Sequence, residues 1–370
     1  MFLRYRRHLF KTVDNMQVRR YSRSYEKKTF APLDKVNVTI MNANSPVGEA
    51  TALIVKNDPL VRELTIHCKS GTAGIQKDLS LIPTSTNVHA FTGFGQLKHA
   101  LRKADIVLVM EKHSPDGINS SKEMFLKNLE YTKFMAEACV QHCPNAIIIV
   151  DVYPINSTVP YFAEILSENG VFCANKLMGS VALHSLRART LLGKMLGIIP
   201  NKVHVDIIGG GTPETVIPVV SPNNPGGPAI EATINKLRKK IKYLNVEVIS
   251  ITNSQAVLSN AYSLAGFIHQ IAEGLTGKQN VKTNAFIRTS ALMGMDFFTM
   301  PIGLGLAGIE TNYGIPKLSA IELQMMDEAL PKLQSDIAFG VKHARPPPEV
   351  KQNESEQSTP ICAAIPCEFP

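Results

Sequence analysis

The chain has no uninterrupted apolar run near the roughly 18 residues that a bilayer-spanning helix needs, so no transmembrane helix is expected. It also lacks a regular cysteine framework: Cys68, Cys139, Cys143, Cys173, Cys362 and Cys367 fall at irregular intervals, which argues against a disulfide scaffold. Cys139, His142 and Cys143 crowd one apparent helix end, EACVQHCP, but no fourth ligand is in register, so no metal site is expected. There is no internal repeat. Most of the chain is also short of excess charge, although the formal net charge is +8. Residues 1–30 hold nine Lys or Arg against Asp14 and Glu26; subtracting these from 39 basic and 31 acidic residues leaves 30 and 29 in the remaining 340. A nearly neutral body gives no support for a nucleic-acid surface.

What is present is enough apolar material, 44% of 370 residues, for two compact units. The Arg-rich, acid-poor residues 1–34 have the composition of a mitochondrial transit peptide, with Arg19-Arg20-Tyr21-Ser22 resembling a processing site. A disordered basic arm is the other reading of this segment. Val36 to Met41 reads as a buried strand, followed by a turn at Asn42 to Gly48 and helical spacing through Val55. Leu64 to Cys68, Ile106 to Met110 and Ala146 to Val152 read as further strands, with a helix from about Ser121 to Val140 before the last. This alternation over residues 35–178 predicts a doubly wound parallel sheet of Rossmann type, with a ligand crevice at the carboxyl ends of its strands. Residues 179–343 read as a mixed α/β unit: strands near 203–208 and 214–220, helices near 229–245, 254–275 and 319–341. Arg345 to Pro348 ends regular structure, and 344–370 has the composition of a disordered tail.

Several strings in one order, NDPLVRELTI (57–66), QHCPNAIIIV (141–150), PINSTVP (154–160), VIPVVS (216–221) and GIETNYGIPK (308–317), resemble mitochondrial-type malate dehydrogenases. The similarity runs from about Lys35 to His343. It implies a Rossmann domain, a second α/β domain, NAD as cofactor, a homodimer, a matrix location and oxidation of L-malate to oxaloacetate.

The residues that carry that chemistry in the family are altered here. In VHVDIIGGGTPETVIPVVS (203–221) the catalytic histidine is matched by Gly211, which has no side chain to take a hydroxyl proton. The aspartate that orients the histidine is matched by His184, three residues before the retained Arg187. The two loop arginines that grip the dicarboxylate are matched by Pro115 and Ser121; Lys112 and Lys122 are the nearby cations, out of register and without a guanidinium's bidentate geometry. Asn128 is retained. In the Gly-x-x-Gly-x-x-Gly turn only Gly48 remains, with Asn42 and Ser45 at the first two places. Asn42 suits positive φ and Pro46 suits a first helical turn, so the turn itself is expected to form. Cys68 stands where an acidic residue would bind the adenine ribose, and Tyr153 where an asparagine would face the nicotinamide.

The concerted change predicts a catalytically inactive pseudoenzyme with a structural or partner-binding role, as a homodimer or a heterodimer with a paralogue. Two alternatives stand beside it: an active NAD-dependent malate dehydrogenase with atypical residues, and a protein binding another anion or a nucleotide. Arg187 is open to two readings, a buried arginine paired with a neighbouring polar group and an anion contact. His184 reaching into the space at Gly211 is a further possibility, and the glycines at 209–211 are expected to form a turn between strands.

Overall fold

The structure, a computed structural model, describes residues 30–112, 120–220, 228–252 and 255–345. The amino half alternates strand and helix: β1 Val36–Met41, α1 Pro46–Lys56, β2 Val61–Cys68, α2 Thr72–Leu79, β3 Asn87–Thr92, α3 Leu97–Leu101, β4 Ile106–Met110, α4 Ser121–His142, β5 Ile147–Asp151, α5 Ile155–Glu168 and β6 Leu177–Ser180. These six strands pair in parallel in the order β3-β2-β1-β4-β5-β6. The chain therefore winds outward in both directions from the β1/β4 junction, as the alternating pattern predicts. IVLVM of β4 is buried at every position, because helices cover both faces of a parallel sheet.

The second half contributes α6 Ala182–Leu196, β7 Asp206–Gly209, β8 Val216–Val219, α7 Pro228–Thr252, α8 Val257–Leu275, β9 Val281–Leu292, β10 Met295–Gly305, β11 Gly308–Asn312 and α9 Ala320–Ala344. Its strands continue the same sheet: β9 runs antiparallel to β6, followed by β10, β7 and β8, with β11 on β10. Phe286, Phe297 and Phe298 are buried at this join, and burial of each such side chain contributes about 1.5–3 kcal/mol. Two helix pairs tie the halves together, α1 on α8 and α5 on α9. The second pair is stapled by the Ser157 hydroxyl, which donates to the Asp336 carbonyl at 2.8 Å. No helix among the described residues is long and apolar enough to cross a membrane.

Local chemistry starts the elements that frame the crevice. Asn42 sits at φ 61° and turns the chain out of β1; Ser45 then caps α1 by accepting from the Gly48 N–H at 3.1 Å, with Pro46 in the first turn. Gly48 is sterically required, since a Cβ there would lie 2.7 Å from the Ala43 carbonyl oxygen. Ser120 and Glu123 form a reciprocal capping box at the start of α4, and Ser319 with Glu322 does the same for α9.

Candidate functional site

The crevice opens where β1, β2, β4 and β5 end, at Met41, Cys68, Met110 and Asp151. On its β1 side the turn residues bind one another. The Cys68 thiol is buried and donates to the Asn44 side-chain oxygen, while the Asn42 amide donates to the Glu111 carbonyl after β4. Ser45 occupies the Gly48 N–H, one of the donors that a helix N-terminus offers to a phosphate.

On the opposite side, Tyr153 and Ser121 meet: their hydroxyls lie 3.0 Å apart, joining the ends of β5 and α4. Burial raises the Tyr153 phenol above its ordinary value, the Ser121 hydrogen bond opposes this, and the charges of Glu214, Asp336 and Glu111 add to the rise. Ser121 thus pairs with Tyr153 rather than standing open. Lys122 holds its ammonium over the Phe339 ring at 5.4 Å. Pro115 lies outside the described residues. Asn128 is wholly buried in α4 and donates to the Met124 carbonyl one turn earlier, at 3.3 Å.

At the domain junction the structure brings His184 and Gly211 together. The imidazole Nε2 lies 3.3 Å from the Gly211 carbonyl oxygen, an acceptor only, so this nitrogen carries the proton. His184 therefore has a partner, a backbone carbonyl that the family pattern does not name. Burial, and then the Arg187 charge, push its pKa down to about 4, so the ring is neutral at physiological pH. Arg187 is buried as well; Nη1 donates to the Asn245 side-chain oxygen on α7 at 2.6 Å, and burial lowers the guanidinium pKa to about 10.

The space above Gly211 is filled. A Cβ there would lie 2.9 Å from Ile155 Cγ2 and 3.0 Å from its Cβ. The Gly211 N–H donates to Asn156 Oδ1 at 2.7 Å, and the Asn156 amide in turn donates to Thr212, Thr215 and Asp336. The glycine segment is a turn between β7 and β8, with Gly209 at φ 94°. It holds its shape through side chains inside the protein.

Sequence reasoning missed Asp151. This carboxyl ends β5 on a half-buried residue and is hydrogen-bonded to Asn260 of α8. Burial pushes its pKa up to about 7. The signal was visible as a lone acid closing the apolar run IIIV. Asn260, Asn245 and Ile155 gave no such signal, because only the fold brings them to the site.

The comparisons with known proteins agree with the fold. The profile of the lactate/malate dehydrogenase NAD binding domain matches residues 36–179, and that of the alpha/beta C-terminal domain matches 182–344. The chain belongs to the lactate/malate dehydrogenase family. It is 32% identical over 314 residues to "Malate dehydrogenase, mitochondrial" of Homo sapiens, covering 83% of this chain and 91% of that protein, and 31% identical to the protein of that name from Mus musculus over the same shares. Among solved structures it is similar to malate dehydrogenase from Cryptosporidium parvum (TM-score 0.68, 20% identity, 84% of this chain and 99% of that one). It is also similar to malate dehydrogenase from Naegleria fowleri (TM-score 0.70, 12% identity, 85% and 100%), and at these identities the likeness is one of fold.

By family resemblance the cofactor of a lactate/malate dehydrogenase is NAD. The residues at its expected contacts are a poor fit for it here. Cys68 is a weak donor already turned to Asn44, Ser45 uses an N–H that a pyrophosphate would need, and Tyr153 is tied to Ser121.

Proposed function

We propose that this member of the lactate/malate dehydrogenase family is a catalytically inactive pseudoenzyme of mitochondria, with a structural or partner-binding role. The observation that carries the proposal is the pairing of Gly211 with His184. Where the family has an imidazole base oriented by a carboxylate, this chain has a backbone carbonyl facing a neutral, buried imidazole. Loss of a general base costs about 10² to 10⁴ in rate, and loss of substrate orientation a further factor of about 10². The altered positions being hydrogen-bonded to one another supports a settled change of role over a defect awaiting repair.

The remaining assignments belong to the same proposal. Residues 1–34 serve as a transit peptide, 35–178 as a nucleotide-binding-like domain, 179–343 as a second domain that also supports dimerisation, and 344–370 as a tail. Matrix import is supported by the basic composition of the leader and by the mitochondrial names of the curated relatives. Dimerisation, with a second copy or a paralogue, is supported by exposed Leu53, Ile54, Leu258 and Tyr262 on the packed pair α1 and α8. Asn42, Ser45, Gly48, Cys68 and Tyr153 form the degenerate cofactor side, and Ser121, Pro115, Asn128 and Arg187 the substrate side.

The test is oxaloacetate-dependent NADH oxidation by the purified chain. The proposal expects none, and a turnover within about a hundredfold of an ordinary relative would defeat it. Gly48 and the intact start of α1 favour a second reading, retained nucleotide binding without turnover. Stabilisation of the protein by NADH in a thermal shift supports that reading, and its absence removes it.

A further inference from the structure

We propose that the face of α6 bearing His184 and Arg187 recognises a neutral group that accepts one hydrogen bond and donates another, a carboxamide or a hydroxyl on a small ligand, in place of a carboxylate. This rests on the reading of the crevice as one that has given up dicarboxylate chemistry.

The two side chains stand three residues apart on one helix face and are 7% and 5% exposed. They are close enough for the guanidinium charge to act on the imidazole. Each has one nitrogen satisfied and one left without a partner: His184 Nδ1 and Arg187 Nη2. A buried polar atom without a partner is costly, so two of them one turn apart on a single helix need an explanation.

Their roles are opposite. Because Nε2 carries the imidazole proton toward Gly211, Nδ1 presents a bare lone pair and can only accept; Nη2 can only donate. A carboxylate brings acceptors alone. It would satisfy Arg187 and set its own lone pairs against Nδ1, because burial keeps the ring neutral at physiological pH. A carboxamide satisfies both, its oxygen receiving from Nη2 and its N–H donating to Nδ1; a hydroxyl does the same with one atom. The guanidinium already holds one such group, since Nη1 is bound by the carboxamide oxygen of Asn245.

Three probes with the same four-carbon skeleton decide the matter: succinate, succinamide and butanediol, titrated into the full-length protein near neutral pH with thermal shift and calorimetry. Succinamide or butanediol should stabilise the protein in a concentration-dependent way, the more effective one identifying the group, and succinate should not. His184→Phe, which removes the acceptor, should weaken the neutral probe about tenfold. Independently of any variant, the ¹⁵N resonance of His184 Nδ1 should shift upfield as the probe donates to it. Tighter binding of succinate than of the neutral probes overturns the inference. So does the absence of any neutral-probe binding at millimolar concentrations, which would leave a buried water as the occupant. Neither result bears on turnover, so an inactive protein that binds none of the probes defeats this inference alone, whereas oxaloacetate reduction defeats the reading beneath it.

Discussion

Placing a histidine at position 211, where the proposed correspondence puts the family's base, should destabilise the protein, and the reason is packing rather than backbone. Gly211 does not lie in the left-handed region, so an L-residue can adopt its conformation. Replacing a glycine under those conditions normally gains about 0.4–1 kcal/mol by restricting the unfolded chain. Here the new Cβ alone meets Ile155 at 2.9 and 3.0 Å, before any atom of the imidazole is placed. Overpacking of this kind costs about 1–3 kcal/mol, so Gly211→His should lose about 1–2 kcal/mol net. Ile155→Ala removes the obstructing methyl and alone should cost about 2–5 kcal/mol as a cavity. The double variant should be more stable than the sum of the two single changes implies, by at least about 1 kcal/mol, because the imidazole refills the space. Urea denaturation of the four proteins measures this directly. Additive effects, or a Gly211→His protein as stable as the parent, would refute the view that Ile155 closes the site.

Asp151 gives a pH-dependent prediction. Its folded-state pKa of about 7 lies above the model-compound value of 3.8, so the unfolded chain releases the proton first as pH rises. Stability is therefore lost between those two values and is flat above them, by at most about 4 kcal/mol. Asp151→Asn should gain on the parent as pH increases from 4 to 8, and a melting-temperature difference that is constant over that range contradicts the assignment. Tyr153→Phe breaks the bond to Ser121 and should cost about 0.5–1.5 kcal/mol in a denaturant melt; no loss would mean the pair is not formed. Gly48→Ala forces a Cβ against the Ala43 carbonyl at 2.7 Å and should cost more than about 2 kcal/mol, with retained stability showing a different turn.

The amino-terminal sheet was legible because β4 and β5 are apolar runs of strand length separated by an amphipathic helix, and parallel strands covered on both faces leave that mark. Strand β2 begins at Val61, three residues before the reading placed it, since Arg62 and Glu63 interrupt the apolar run although the backbone pairs through them. Helix α7 reaches Thr252 rather than ending near 245, there being no glycine or proline to stop it. At the site, the identities at 211, 184, 153, 121 and 68 could be read from the chain, whereas their new partners could not. Tyr153 finds Ser121 across 32 positions, His184 finds Gly211 across 27 and Arg187 finds Asn245 across 58. Contacts between residues so far apart are set by tertiary packing and leave no local pattern.

The central claim is that this crevice no longer performs hydride transfer, and steady-state NADH oxidation in the presence of oxaloacetate tests it most directly. The account predicts a rate indistinguishable from the background without protein, at any pH between 6 and 8. A protein-dependent rate within about a hundredfold of an active relative, lost on His184→Ala or Asp151→Asn, would contradict it by showing that another group has taken over the work of the missing base.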